Sequence, residues 1–542
     1  MKKLLNDVRQ AVPDMLQGLV AITPGLALLA DETVVVRTGG LANQVALISG
    51  GGAGHEPAHA GYVGPGLLHA AVVGAVFTSP SPDAVLAALR AVTGPAGALL
   101  IVKNYTGDRL NFGLAAELAR AEGLAVEMVI VDDDVALTDP NAGRRGLAGT
   151  VLIHKLAGAA AVGGQTLAEV TGVARSAVAQ LGTMGVALGA CIVPAAGVAG
   201  FSLGEQEIEL GLGIHGEAGV RRATMAPAAV LVATLLNTII ADRGLLPGAR
   251  VALLVNGLGG TPSMELGVVT RDAVAALAAQ GMHVERAWTG VFLTALEMPG
   301  VSLSLLVVDD ALLALLDAPA QAPAWPGPGH PARLDRPLVP GRRVVPAAPV
   351  AQRDARVDAG VRAVCAALIA AEPELTRLDQ ISGDGDLGAS MARGAEAMLR
   401  DLPTYLTTDP AGTARALSAT LRRALGGSSG PFYAVMLLRA AEVLAGGGTV
   451  AAALAAGAQG IATLGGAQAG DRTMLDALLP AAVALQSGTM MDAARAGDAG
   501  TAATAIMVPR RGRATYLANR VVGHVDPGAR AVAIWLNALA RA

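Results

Sequence analysis

The sequence predicts a multidomain protein, two α/β subdomains followed by an all-α domain, and three observations predict it. The chain has 542 residues, room for roughly three or four compact units at about 150 residues each. Between residues 45 and 310, short β-branched or aliphatic runs alternate with longer Ala/Leu stretches, as strands and helices do when they take turns. From about residue 354 such runs are nearly absent, and Ala/Leu/Arg segments with helical spacing follow one another.

The amino terminus begins with basic residues but carries Asn6, Asp7 and Arg9 where a secretory signal would be apolar, so a cytoplasmic protein is expected. The first α/β subdomain spans 1–185, with strands expected at 45–48, 98–102 and 126–131. Most of these runs lead within a residue or two into Gly, Asp, Asn or Ser, the chemistry of loops at the carboxyl edge of a sheet, where α/β proteins bind ligands. Gly182, Thr183, Met184 and Gly185 interrupt the pattern and mark a second subdomain, 186–320, with strands expected at 186–193, 251–255 and 304–308. Nine prolines between 317 and 350 then predict an extended, semi-rigid linker, 321–352. The all-α domain occupies 353–542.

Composition removes several function classes. With 53% hydrophobic and 15% charged residues the chain is globular, neither disordered nor coiled coil. The mean hydropathy of +0.50 raises the question of a membrane. Yet the longest apolar stretch, 228–241, starts after Pro227 and contains Asn237. It falls short of the roughly 20 residues a span requires. A net charge of −4 and 2% aromatic residues offer neither the basic patch nor the stacking surface that nucleic acid demands. Cys191 and Cys365 lie far apart without metal-ligand spacing and read as buried thiols.

Three loops of the first half carry chemistry. Residues 49–57 form a glycine loop ending in His55, Glu56 and Pro57 directly after a strand, where glycines let backbone N–H groups approach a ligand closely. Pro57 stands where the dinucleotide pattern needs its third glycine, and none of the four lysines follows a glycine, so neither a Rossmann fingerprint nor a P-loop is present. Residues 103–108 place Lys103 and Asp108 at the end of another strand, and 211–217 flank His215 with glycines. A lone histidine in such a loop is usually a loop hydrogen-bonder; three such loops together point to a site.

In the second half, Asp379, Asp384 and Asp386 fall within eight residues, a crowding that repels unless a cation lies between them. Oxygen ligands without His or Cys favour Mg²⁺ over zinc. Gly426, Gly427, Ser428, Ser429 and Gly430 precede a helical run and form an anion site at a helix amino terminus. Residues 470–476 and 511–516 add arginines to an otherwise apolar domain.

In this order the motifs resemble the ATP-dependent, single-chain dihydroxyacetone kinases, in which a substrate-binding K domain joins a nucleotide-binding L domain. The resemblance covers nearly the whole chain and rests on residues 49–57, 103–113, 213–217, 383–388, 426–430 and 470–474. It implies that His215 holds the ketone carbonyl as a hemiaminal, that His55 hydrogen-bonds the substrate, and that Asp108 accepts the proton of the hydroxyl being phosphorylated. Gly52, Ala53, Ser79 and Lys103 match the remaining pocket contacts. In the L domain it implies two Mg²⁺ ions held by Asp379, Asp384 and Asp386 against the ATP phosphates. Gly427, Ser428 and Ser429 match the phosphate loop, Met474 the adenine pocket and Arg513 a phosphate-region arginine. The family's L domain is a ring of eight amphipathic helices, its K domain is two α/β subdomains, and its members are usually homodimers.

The expected function is phosphorylation of dihydroxyacetone by ATP. Fusion of K and L supports free ATP as donor, although residues 1–20 look like those of separate, phosphotransferase-fed K subunits. Erythrulose is an alternative substrate, since a hemiaminal reads only the carbonyl. A cyclising lyase activity on FAD occurs in some members, and K-like proteins that sense the ketone and regulate transcription form a non-enzymatic class. Retention of Asp108, the acidic loop and the whole L domain speaks against a mere sensor.

Overall fold

The computed structural model describes residues 2–39, 43–137, 143–216, 219–330 and 353–542, without the side chains of Arg513, Ala518 and Asn519. The chain divides into two compact units, Met1–Leu338 and Val339–Ala542.

The first unit contains two six-stranded sheets. One holds β1 (Leu26–Leu28), β2 (Val34–Arg37), β3 (Ala46–Ala53), β4 (Ala70–Val76), β5 (Ala98–Lys103) and β6 (Val126–Val131), in the order β1-β2-β4-β3-β5-β6. Its four strands β4, β3, β5 and β6 are parallel, so β3 and β5 end at the same edge and deliver the glycine loop and Lys103 side by side. The other holds β7 (Leu181–Ala187), β8 (Glu207–Leu210), β9 (Arg221–Thr224), β10 (Arg250–Gly257), β11 (His283–Gly290) and β12 (Gly300–Val307), in the order β11-β10-β12-β7-β8-β9. Only β10 and β11 pair in parallel. The helix Thr150–Val162 is buried at every position from 150 to 161, its mainly apolar sequence interrupted by the buried polar side chains of Thr150, His154 and Lys155. Its Leu152, Leu156 and Ala160 share one core with Leu47, Leu99 and Ile101 of the first sheet and Ala252, Leu254 and Leu306 of the second.

Three expectations need correction. Gly182 and Gly185 do not break the chain but lie inside β7, which is buried throughout and begins before residue 186. A Cβ on Gly182 would stand 3.0 Å from both Ile239 and Val135, so the glycine answers to tight packing. The strand expected at 186–193 ends at Ala187, where its partner β12 runs out at Pro299, a residue with no N–H to extend the ladder. The residues expected to open the linker, 321–330, pack on the first unit. The Gln321 N–H donates to the Pro65 carbonyl at 2.9 Å, the Ala324 N–H to Gly61 at 2.9 Å and the Trp288 indole to Gly327 at 2.9 Å. Residues 331–352, the rest of the expected linker, lie outside the described residues.

The second unit has nine α-helices among its described residues: Ala355–Ala370, Glu372–Ser382, Leu387–Asp401, Pro410–Ala424, Ser429–Ala445, Val450–Gly465, Leu475–Ser487, Met490–Ala503 and Pro527–Arg541. From Leu387–Asp401 onward each packs on its successor, and the last packs back on the first, closing a ring. The count exceeds the expected eight because the first helix is interrupted at Ala371. Pro373, in the first turn after the break, has no N–H and would crowd the carbonyl four residues before it. No helix among the described residues is long and apolar enough to cross a membrane.

Candidate active site

In the first unit the glycine loop turns away from β3 at Gly54, whose φ of +95° suits glycine and whose Cβ would strike the Phe77 ring at 2.8 Å. Gly52 leans on the Phe77–Thr78 backbone, which a Cβ would meet at 2.5 Å, and Ala53 is buried beside it. The loop is braced by the second sheet's neighbour segment. The Leu296 N–H donates to the Gly54 carbonyl at 2.7 Å and the Thr294 hydroxyl to Glu56 at 2.9 Å.

That brace fixes the tautomer of His55. Its Nδ1 lies 2.7 Å from the Thr294 carbonyl, which only accepts, so Nδ1 carries the hydrogen and Nε2 a bare lone pair. Nε2 is buried without a protein partner. Burial, with help from the charge of Lys103, holds the ring's pKa well below the usual histidine value and keeps it neutral. His215 stands against it at a ring-centroid distance of 4.8 Å, enclosed also by Tyr105 at 4.5 Å and Phe77 at 5.3 Å.

Lys103 ends β5 and is buried, and burial lowers its pKa against the opposing pull of Asp108 and Asp133. Asp108 does not lie in a loop, as the sequence suggested, but in the first turn of the helix Thr106–Ala121, where the helix dipole favours a carboxylate. Lys103 and Asp108 both face Gly51. A Cβ there would meet Lys103 Nζ at 2.8 Å and Asp108 Oδ2 at 3.7 Å. Ser79, with a buried hydroxyl lacking a protein partner, lies over Gly107 in the same helix turn, 3.3 Å from where a Cβ would be. The structure therefore gathers His55, His215, Gly52, Ala53, Ser79, Lys103 and Asp108 at one edge of the first sheet.

In the second unit, Asp379 lies in the last turn of the helix Glu372–Ser382, Asp386 is the N-cap of the next, and Asp384 lies between, with one carboxylate oxygen from each within 4.8 Å of the others. Asp379 is half-buried and accepts from the Leu387 N–H at 3.2 Å; the other two are exposed. Three hard oxygen donors so close fit a divalent cation such as Mg²⁺. They line a cavity of about 640 Å³ together with Gly427, Ser428, Ser429 and Met474. Ser428 is the N-cap of the helix Ser429–Ala445, whose first N–H groups offer an anion site opposite the carboxylates. The Arg513 side chain lies outside the described part of the structure.

Sequence reasoning missed several neighbours. Phe77 and Tyr105 enclose His215, and Thr294, 239 residues from His55, orients it with no local signal. Arg472, in the 470–476 segment that the sequence singled out for its arginine, is fully buried in the wall of the second unit's cavity, where its Nη2 donates to the His524 carbonyl at 2.9 Å. Asp526 in the same wall has its pKa raised to about 6 by burial.

A Dak1 domain matches residues 17–324 and a DAK2 domain residues 381–541. The chain is 44% identical to a putative 3,4-dihydroxy-2-butanone kinase of Solanum lycopersicum, covering 100% of this chain and 98% of that protein. It is also 44% identical to a triokinase/FMN cyclase of Bos taurus, covering 99% and 98%. The crystal structure of the dihydroxyacetone kinase from C. freundii in complex with AMP-PNP and Mg²⁺ superposes with a TM-score of 0.66 at 37% identity, covering 100% of this chain and 99% of that one.

Proposed function

The chain belongs to the dihydroxyacetone kinase family, and we propose that it transfers the terminal phosphoryl group of ATP to dihydroxyacetone with the help of Mg²⁺. The observation that carries this reading is the pairing, within one chain, of an enclosed His215–His55 site with a carboxylate cluster facing a Ser-Ser helix amino terminus. The relatives' names and the AMP-PNP and Mg²⁺ complex supply the substrate class and the donor.

The ketone enters beside His215. A ring-nitrogen lone pair attacks the carbonyl carbon, the C–N bond forms as the C=O π bond opens, and the oxygen takes the proton that the ring gives up. Ketone and side chain combine with nothing lost. Three carbons offer little surface for noncovalent grip, so the bond supplies affinity and rejects glycerol, which has no carbonyl. His55, neutral and with Nε2 bare, accepts a hydrogen bond from the adduct or a substrate hydroxyl. Asp108 takes the proton of the terminal hydroxyl as its oxygen attacks phosphorus. In the second unit, Asp379, Asp384 and Asp386 would hold Mg²⁺, which neutralises phosphate charge where a P-loop lysine is lacking. Ser428 and Ser429 orient the phosphates at the helix end, and Met474 packs against the base. We read the working form as a homodimer in the cytoplasm; both of its cysteines, Cys191 and Cys365, are buried.

The test compares wild type with His215→Ala in a coupled assay on dihydroxyacetone, erythrulose and glycerol, with mass spectrometry for the adduct. The variant should lose the adduct, raise KM for ketoses and discriminate less against glycerol. An unchanged ketose-to-glycerol ratio of kcat/KM, with the adduct still formed, would refute covalent capture by His215.

A further inference from the structure

Behind the glycine loop lies a row of buried groups that the reaction described above does not use. Lys103 Nζ is 2.9 Å from His59 Nε2, and His59 Nδ1 is 3.0 Å from His154 Nε2 and 3.4 Å from the Ser49 hydroxyl. All four side chains are at most 3% exposed.

The directions of these bonds follow from the far end. The single Ser49 hydroxyl hydrogen goes to the Ile101 carbonyl at 2.6 Å, so towards His59 the oxygen only accepts. His59 must therefore carry its hydrogen on Nδ1, shared between Ser49 and His154 Nε2. His59 Nε2 is then bare and accepts from Lys103. Burial and the charge of Lys103 keep both imidazoles neutral, so no second positive charge faces the ammonium. One of its three hydrogens is thereby held on His59. Two remain, on the side where Gly51 leaves room and Asp108 approaches.

We propose that His59 is a positioning residue for Lys103: by accepting one ammonium hydrogen it aims the other two at Asp108 and the bound ketone, while Ser49 and His154 hold the tautomer that allows it. The inference rests on the proposed function, with Asp108 as the base, and on Lys103 as the pocket contact that the family resemblance implies. A plain packing role for His59 makes a different prediction, because it would not depend on an acceptor atom. The charged and titratable groups facing Lys103 are His59, His154, His55, Asp108 and Asp133. Among them His59 is the neutral acceptor in direct contact.

The experiment sets His59→Leu, His59→Asn and His59→Gln beside wild type. The Gln amide oxygen reaches towards Lys103, the shorter Asn does not, and Leu has no acceptor. In His59→Leu, kcat for dihydroxyacetone should fall roughly 10- to 100-fold, the scale of a misplaced group, with KM changed less. Its alkaline limb should move to lower pH by about one unit, because an ammonium deprived of its acceptor gives up its proton more readily. His59→Gln should restore both the limb and most of the turnover, and His59→Asn should not. If His59→Leu fails to fold, the Gln–Asn contrast still decides. Histidine-selective ¹⁵N NMR of the wild type, assigned by the signal lost in His59→Gln, should show His59 protonated on Nδ1. A wild-type pH profile in His59→Leu, equal activities of Gln and Asn variants, or an Nε2-protonated His59 would each overturn the proposal. Failure of the wild type to phosphorylate any ketose would instead overturn the function on which it rests.

Discussion

Asp108 is buried in the first turn of a helix, beside an ammonium that is itself buried. Replacing it with Asn keeps the shape and removes the base, so turnover should fall roughly 10²- to 10⁴-fold while the ketone adduct still forms. Stopped assays and mass spectrometry separate the two, and near-normal turnover would show that the proton leaves by another route. Asp386 offers a cleaner removal in the other unit, because its side chain makes no capping bond to the helix it begins. Asp386→Ala should abolish phosphoryl transfer with folding and ketone capture intact; losing the adduct as well would contradict two separate sites. These residues were legible because their chemistry shows in short motifs: glycines around a histidine, aspartates among glycines. The tautomer of His55 was not legible, since the carbonyl that sets it belongs to Thr294 at the far end of the unit.

Elements were readable where burial dictates a continuous apolar run, as in β5, and misread where glycine serves packing. Gly182 resembles a breaker and is a strand residue. Gly158 lies inside the helix Thr150–Val162, where alanine would favour the helix by about 1 kcal/mol. A Cβ there would sit 2.2 Å from the Gly66 carbonyl oxygen and 2.5 Å from its carbon, both backbone. Overpacking of that kind usually costs about 1–3 kcal/mol, so packing should win over propensity. Gly158→Ala is expected to lower the thermal midpoint of the first unit, and calorimetry would show a rise if helix propensity dominated. The interruption at Ala371 was missed for the opposite reason: Pro373 is one proline in an otherwise uniform helical pattern, whose effect depends on the turn before it.

At the scale of the whole chain, the first unit keeps four buried histidines neutral: His55, His59, His69 with a pKa lowered to about 4 and His154 lowered to about 3. Below the ordinary histidine value of about 6.5 the unfolded chain binds protons that these four refuse, so acid destabilises the fold. Three carboxyls act the other way, Glu56, Asp133 and, in the second unit, Asp526, the last two raised to about 6, because the fold holds their protons to higher pH. Four against three still leaves the unfolded chain binding more protons than the fold, so stability should fall as the pH drops from about 6.5 towards 5. Thermal midpoints that stay flat or rise on acidification from pH 6.5 to 5 would contradict this balance. Sedimentation equilibrium tests the assembly, with about twice the 54.0 kDa chain mass expected for a homodimer.

The strap formed by residues 321–330 carries one further consequence. Trp325 in the strap and Trp288 in β11 lie with ring centroids 5.4 Å apart, while the third tryptophan, Trp535, belongs to the second unit. The two coupled indoles should give the protein an exciton couplet in its ultraviolet circular dichroism. Peeling the strap away would extinguish that couplet without touching Trp535. A Trp325→Phe variant lacking the couplet provides the blank, making the protein its own optical gauge of whether its interdomain tether starts at residue 321 or only after residue 330.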